Sequence, residues 1–212
     1  MGVDRGADRL VVAITGASGV IYGLRLIRAL LKEPKTARIH LLISRPGRMV
    51  LSHEAGYDGG PVDGFLRDRG VIPPGDDRVA VHDPDDLFAP PASGSYRHAG
   101  MVVCPCSMRT LGAISAGVAG DLIGRAADVC LKERRPLILL TRETPLSSIH
   151  LENMLRAARA GATIMPPCPG FYHHPRTVDD LVDATVGRVL DHLGISHRLV
   201  AEWGDDVPLP TP

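Results

Sequence analysis

The sequence lacks an excess of charge of either sign. Basic and acidic side chains number 24 each among the 212 residues. Nucleic-acid-binding domains usually carry a basic patch or stripe, so this balance favours a small-molecule partner over a nucleic acid. The chain also lacks an apolar run approaching the roughly 18 residues of a membrane span. We therefore expect a cytoplasmic protein without a membrane segment.

Paired cysteines are also missing. The four cysteines, Cys104, Cys106, Cys130 and Cys168, form no CxxC pair and lie in apolar surroundings. Such pairs are a usual mark of zinc sites, and secreted disulfide frameworks are denser in cysteine. We expect reduced thiols and no metal site.

What the chain does contain is a regular alternation of short apolar runs and helical patterns. The predicted strands are Leu10–Thr15, Ile39–Ser44, Val79–His82, Met101–Cys104, Leu137–Thr141 and Ala162–Met165. The predicted helices are Ile21 to near Pro34, Met49–Ala55, Met108–Val118, Asp121–Glu133, Ile149–Ala160 and Val178–Leu193. This order predicts an α/β fold with a doubly wound, mostly parallel sheet of the Rossmann or flavodoxin type and helices on both faces.

The length suits one sizeable core and is too short for two comfortable domains. We predict a flexible N-terminus over residues 1–9, a single domain over 10–203 and a loose tail over 204–212. The glycine- and proline-rich stretches 56–75 and 83–94 are predicted to be surface excursions.

Small residues join the first predicted strand to the first helix at Gly16-Ala17-Ser18-Gly19. Such a turn lets backbone N–H groups approach an anion at the positive end of a helix. It is neither a GxGxxG fingerprint nor a phosphate loop with a lysine, and glycines can also serve only to close a turn. By itself the turn leaves both interpretations open.

Polar side chains follow other strands at the same edge of the predicted sheet. Ser44 ends the second strand, the segment Ser107–Thr110 follows the fourth, and Arg142-Glu143 follows the fifth. Ser107 could serve only as a helix cap, and Arg142 with Glu143 could be a solvated ion pair. Their convergence nevertheless favours a ligand site there.

Four segments in combination resemble the UbiX-type flavin prenyltransferases, within the wider group of homo-oligomeric flavin-containing cysteine-decarboxylase-like proteins. They are TGASGVIYGLRL, ASGSYRHAGMVVCPCSMRTLGAI, RAADVCLKERRPLILLTRETPLSSIHLENM and MPPCPGFYHHPRTVDDLVD. The resemblance extends from about Leu10 to Trp203.

The resemblance implies a metal-independent enzyme that transfers a dimethylallyl group from dimethylallyl monophosphate to N5 and C6 of reduced FMN. Reduced FMN would be the substrate and prenylated FMN the product, which a UbiD-type decarboxylase would receive as its cofactor. The resemblance further implies a homo-oligomer, a dodecamer, with active sites between subunits.

Residue roles are also implied by the resemblance. FMN would be held by Gly16, Ala17, Ser18, Ser44, Ser107, Met108, Arg109, Thr110 and Arg142. The catalytic residues would be Ser18, Glu54, Lys132 and Glu143. The dimethylallyl substrate would contact Lys132, Tyr172 and Arg188. From its residue type alone, Trp203 could be a packing anchor or could stack on a planar ring, and we include it among the candidate substrate-binding residues. Arg109 stands where many relatives carry lysine. The planar guanidinium of arginine thus replaces the compact ammonium of lysine, which keeps the charge but alters its geometry.

Two other functions would share parts of this site. An FMN-dependent decarboxylase of a cysteinyl substrate would call for an Asn- and Met-rich segment where this chain has Pro166–Pro175. A noncatalytic flavin-carrying subunit of a decarboxylase would need a phosphate cradle but no second phosphate site. The presence of Lys132, Glu143, Tyr172 and Arg188 favours the enzyme over such a carrier.

Overall fold

The computed structural model describes residues 8–200, which contain six strands and seven α-helices. The strands are β1 (Arg9–Ile14), β2 (Arg38–Ile43), β3 (Val79–His82), β4 (Gly100–Cys106), β5 (Leu137–Thr141) and β6 (Thr163–Ile164). The helices are α1 (Val20–Lys32), α2 (Arg45–Ala55), α3 (Val62–Asp68), α4 (Met108–Ser115), α5 (Leu122–Lys132), α6 (Ser148–Ala160) and α7 (Val178–His192). All strand pairs are parallel, in the order β3-β2-β1-β4-β5-β6, and this confirms the predicted doubly wound α/β fold.

The described chain divides into two compact units, the first ending at Pro166 and the second beginning at Pro167. The first holds the sheet with α1 to α6, and the second holds α7. The single domain over 10–203 stays a prediction. Strand β1 begins at Arg9, inside the segment predicted to be flexible. The remainder of that segment up to residue 7, Trp203 and the tail 204–212 lie outside the described residues. Between residues 8 and 200, no helix combines the length and apolar character needed to cross a membrane.

Strand β1 lies in the middle of the sheet and is covered on both faces. On one face Val11 belongs to a buried cluster with Leu111 of α4 and Leu122 of α5. On the other face α1 approaches so closely at Gly23 that an added Cβ would stand 3.0 Å from Ile14 Cγ1. Strands buried on both faces are largely apolar, which is why β1 appears in the sequence as a continuous apolar run. Because the strands are parallel, the carboxyl ends of β1, β2, β4 and β5 lie at one edge of the sheet.

Two helices differ from the sequence prediction. Helix α3 lies inside the stretch 56–75 that was predicted to be a surface excursion; it follows Pro61 and buries Val62 and Leu66. Helix α2 begins four residues earlier than expected because Ser44 is its N-cap, accepting a hydrogen bond from the Gly47 N–H at 3.0 Å. Proline in the first turn has its φ already fixed near the helical value, so the RPG segment starts a helix.

A pair of imidazoles, of which His40 is buried and His82 half-buried, connects β2 with β3 and with the loop before β4. His40 Nδ1 lies 2.8 Å from His82 Nε2, and His40 Nε2 lies 2.8 Å from the Tyr96 hydroxyl. The His40 side chain is nearly inaccessible, with 3% of its surface exposed. Burial, reinforced by the nearby His82 and Arg38, lowers the pKa of His40 to about 4, so the ring is neutral at pH 7.

We expect this pair to make the protein less stable in mild acid. Because the pKa of His40 is lower when folded than its unfolded value near 6.5, its contribution is complete above about pH 6.5 and declines toward about pH 4. The decline between about pH 7.5 and pH 5 is on the order of 2 kcal/mol, or several degrees in Tm.

Thermal unfolding across this pH range tests the prediction. The His40→Gln variant should lose less Tm on acidification than the parent, whereas His192→Gln, at an exposed position at the end of α7, should follow the parent. Equal Tm losses in all three proteins would contradict the assignment.

Candidate functional site

A cavity of about 670 Å³ lies at the carboxyl edge of the sheet. Its walls come largely from the segments that follow β1, β2, β4 and β5, together with the start of α5. Small-molecule sites typically have volumes of about 300–1,000 Å³ and lie at this edge in doubly wound folds. Seven predicted site residues line the cavity: Gly16, Ser44, Ser107, Met108, Arg109, Thr110 and Glu143.

The first turn of α4 presents its positive end to this cavity. Ser107 is the N-cap of α4: its Oγ accepts from the Thr110 N–H at 3.3 Å and lies 3.0 Å from Thr110 Oγ1. The other N–H groups of a first helical turn have no partner within the helix, and an anion is stabilised there. With Arg109 also on the cavity wall, this turn is well suited to bind a phosphate.

Thr15 connects the end of β1 to the start of this turn. Its hydroxyl donates to the Pro105 carbonyl at 2.7 Å and accepts from the Ser107 N–H at 2.8 Å. Sequence reasoning did not single out Thr15, although its place directly before the glycine turn was visible. Its partners lie about ninety residues away in sequence and come next to it only when the sheet forms.

At the glycine turn itself the structure places a carboxylate of the chain. Glu54 Oε2 accepts from the N–H groups of Gly19 at 2.9 Å and Val20 at 3.0 Å. Burial alone would raise the pKa of Glu54, but hydrogen bonds from Ser18, Gly19 and Val20, with the Arg142 charge, lower it instead. The structure thus brings the predicted Ser18 and Glu54 together. It also shows two N–H groups at the start of α1 already bonded to a carboxylate.

The end of β5 supplies a cation and a carboxylate. The Arg142 N–H donates to the Cys106 carbonyl at 3.1 Å, which ties this segment to β4. Arg142 Nε and Thr141 Oγ1 are buried without a hydrogen-bond partner among the described residues. Buried donors are nearly always paired in native proteins, so this guanidinium is suited to an anionic or carbonyl ligand. Glu143 lies on the cavity wall, and its Oε1 accepts from the Thr144 N–H at 3.1 Å.

Among the cavity residues that sequence reasoning did not single out are Arg45, Pro46 and Asp85. Arg45 and Asp85 form an ion pair of 2.6 Å, largely exposed and therefore of little energetic weight. Pro46 packs so closely on Gly16 that an added Cβ at Gly16 would stand 2.5 Å from Pro46 Cβ. Position 16 therefore requires glycine for close approach of the turns after β1 and β2. Asp85 lies in a proline-rich loop in which no sequence motif indicates a functional residue. Arg45 and Pro46, in contrast, directly follow the predicted Ser44.

Other predicted residues lie apart from this cavity or cannot be placed at it. Lys132 ends α5, with Nζ 2.6 Å from Glu133 Oε1, whereas the cavity takes Asp121 and Gly124 from the opposite end of that helix. At 1.5 Å per residue, the helix separates Asp121 from Lys132 by about 16 Å.

The second unit contains Tyr172, which is exposed, and Arg188, whose guanidinium pairs with Asp191 at 2.8 Å. Ala17 is buried within the glycine turn, and Trp203 falls outside the described residues. In the described part of the chain, no three His, Cys, Asp or Glu side chains are grouped to hold a metal ion.

Comparison with known proteins adds a further set of observations. Residues 3–190 match the sequence model of the Flavoprotein family. The flavin prenyltransferase UbiX of Halalkalibacterium halodurans is 46% identical over 195 residues, covering 92% of this chain and 93% of that protein.

Two crystal structures of similar sequence share the fold. AnUbiX (PadA1) in complex with FMN and dimethylallyl pyrophosphate gives a TM-score of 0.83 at 42% identity, over 94% of this chain and 98% of that one. A dodecameric FMN-dependent Ubix-like decarboxylase from Escherichia coli O157:H7 gives 0.81 at 43% identity, over 92% and 98%.

Proposed function

Because this chain belongs to the Flavoprotein family and, within it, to the UbiX-type flavin prenyltransferases, we propose that it transfers a dimethylallyl group to reduced FMN. One observation carries the proposal from family to chemistry. The cavity at the sheet edge joins an anion-binding helix start at Ser107–Thr110 to the carboxylate of Glu143. Residues suited to hold the flavin phosphate and to transfer a proton thus line one cavity.

The residues present fit FMN. Ser107, Arg109 and Thr110 at the start of α4 suit a phosphate, and the unpartnered Arg142 Nε suits an anionic or carbonyl oxygen. A cavity of about 670 Å³ is ample for a nucleotide-sized molecule. When bound in reduced form, the flavin would supply the nucleophilic ring atoms N5 and C6. Gly16, Ala17, Ser18, Ser44 and Met108 would complete its surroundings.

The chain's cations suit the phosphate of a dimethylallyl monophosphate donor. Release of an allylic phosphate without a metal ion requires preorganised positive charge around the leaving oxygens. Lys132, Arg142 and Arg188 would supply that charge, with Tyr172 and Trp203 as further substrate contacts. Ser18 and Glu54, already hydrogen-bonded to each other, and Glu143 would arrange hydrogen bonds and hold protons around the reacting groups.

The position of Lys132 supports a site shared between copies of this chain. It lies at the opposite end of α5 from the cavity that holds Glu143. Large apolar side chains also remain exposed on the described surface, among them Met49, Phe88, Ile149 and Leu155. An interface between copies of this chain would cover such side chains. We propose a homo-oligomer, a dodecamer like the Escherichia coli relative, in which a neighbour's Lys132 enters the site.

Delivery of the product completes the proposal. Prenylated FMN would pass to a UbiD-type decarboxylase as the recipient of the modified cofactor, and both proteins would meet in the cytoplasm.

The proposal is tested by anaerobic incubation of the purified protein with reduced FMN and dimethylallyl monophosphate. We expect the released flavin to gain the mass of one isoprene unit, with one inorganic phosphate formed per flavin. Saturated isopentyl phosphate, which lacks the allylic double bond, should give neither product. Recovery of unmodified FMN from a protein that binds it would instead identify a noncatalytic carrier.

A further inference from the structure

The hydroxyl of Thr15 makes two hydrogen bonds, both to the segment that starts α4. Thr15 is fully buried, with 0% of its surface exposed. Its hydroxyl donates to the Pro105 carbonyl at 2.7 Å and accepts from the Ser107 N–H at 2.8 Å. The Thr15 N–H also donates to the Pro105 carbonyl, at 3.2 Å. The strand ends are thus joined through the backbone as well as through the side chain.

Only the side chain reaches Ser107. If the hydroxyl were removed, the bond from the Thr15 N–H to Pro105 would remain, while the Ser107 N–H would lose its partner. Ser107 is the residue that caps α4 through Thr110, and both line the cavity. The hydroxyl of Thr15 therefore sets where the first turn of α4 stands relative to β1.

The chain offers a useful contrast in a second buried threonine. Thr185 Oγ1 donates to the Leu181 carbonyl of its own helix at 3.3 Å, an internal bond of α7. A buried hydroxyl that only stabilises the fold can have such a local partner. The hydroxyl of Thr15 instead connects two segments that both contribute to the cavity wall, through Gly16 on one side and Ser107 on the other.

We propose that Thr15 is a positioning residue for the phosphate end of FMN. Its hydroxyl holds Ser107, and through Ser107 it holds the N–H groups of the first α4 turn where the phosphate binds. The inference rests on the proposed function and deepens it, because it assigns one buried side chain to one part of the flavin substrate.

The experiment compares FMN with riboflavin, which lacks the phosphate. Fluorescence titration should show that Thr15→Val raises the Kd for FMN about tenfold, because the Ser107 N–H would lose its buried partner. The Kd for riboflavin should stay within about twofold of the parent value. Thr15→Ser, which restores the hydroxyl, should bind FMN nearly as tightly as the parent. Thr185→Val should alter neither Kd.

Several results would overturn this assignment. An unchanged Kd for FMN in Thr15→Val, or equal weakening toward FMN and riboflavin, would remove the link to the phosphate. If Thr15→Val does not fold, Thr15→Ala takes its place, and failure of both to fold would identify a structural role only. The titration is independent of catalysis: a parent protein that prefers FMN to riboflavin but transfers no prenyl group would contradict the proposed function alone.

Discussion

Glu143→Gln should slow prenyl transfer by at least about a hundredfold while FMN stays bound, since general acid-base groups typically contribute about 10²–10⁴ in rate. Glutamine has nearly the shape of glutamate, and its carbonyl oxygen can still accept from the Thr144 N–H. It cannot take up or release a proton. The cavity wall thus keeps its form and loses the carboxylate proposed to transfer protons.

Single-turnover transfer is measured under anaerobic conditions, and the Kd for FMN is measured in parallel. The two measurements separate a loss of prenyl transfer from a loss of FMN binding. Glu152→Gln serves as the matched control because it makes the same chemical change at an exposed position of α6. A loss of less than about threefold in Glu143→Gln would exclude proton transfer by this residue, whatever happens to FMN affinity.

Mixed oligomers should recover activity that neither parent variant has. Lys132→Ala removes the cation proposed to bind the donor phosphate, and Glu143→Gln removes the proposed proton carrier, so each alone should be at least about a hundredfold impaired. If a site takes Glu143 from one chain and Lys132 from its neighbour, some sites in a mixture contain both intact residues. With equal and random mixing, about a quarter of the sites should be active.

Coexpression with two affinity tags, followed by sequential purification, yields the mixed assemblies for this assay. The control mixture combines Lys132→Ala with the double variant Lys132→Ala and Glu143→Gln, in which no chain keeps Lys132. That mixture should stay inactive. No recovery in the test mixture would mean that Lys132 and Glu143 of one chain act at the same site, because no chain in it carries both.

Much of the edge that carries the site was predictable from sequence. In a parallel sheet all strands end at one edge, so the glycine turn at Gly16, Ser44 after β2 and Ser107 after β4 had to converge once the strands were identified. The short, nearly continuous apolar runs made those strands easy to locate. In the folded chain these residues, which are far apart in sequence, line a single cavity.

Contacts that depend on packing between elements could not be predicted in this way. The resemblance marked Glu54 as an active-site acid, but the sequence holds no sign that its carboxylate reaches the Gly19 and Val20 N–H groups on another helix. The same holds for Thr15, whose partners lie about ninety residues away. Each depends on the relative placement of two elements, which local propensity does not encode.

The role proposed for Lys132 could not be predicted from local sequence for a different reason. Its position at the end of α5 fits an ordinary solvated cation paired with its neighbour Glu133. Distance along the helix separates it from its own chain's cavity, so its proposed role depends on a second copy of the chain. Neither helical periodicity nor the single-chain structure specifies such a neighbour.

The span of the cavity along the chain bears on when flavin can first bind during synthesis. Its walls extend in sequence from Gly16 to Glu143, and the start of α4 is fixed by Thr15 only after β4 has paired with β1. A nascent chain whose β4 and β5 have not yet emerged from the ribosome therefore has no complete pocket for the nucleotide. Flavin can stabilise the finished first unit by mass action but cannot guide its early folding. Shortage of flavin during growth should leave assembled protein of lower thermal stability instead of chains arrested before sheet formation.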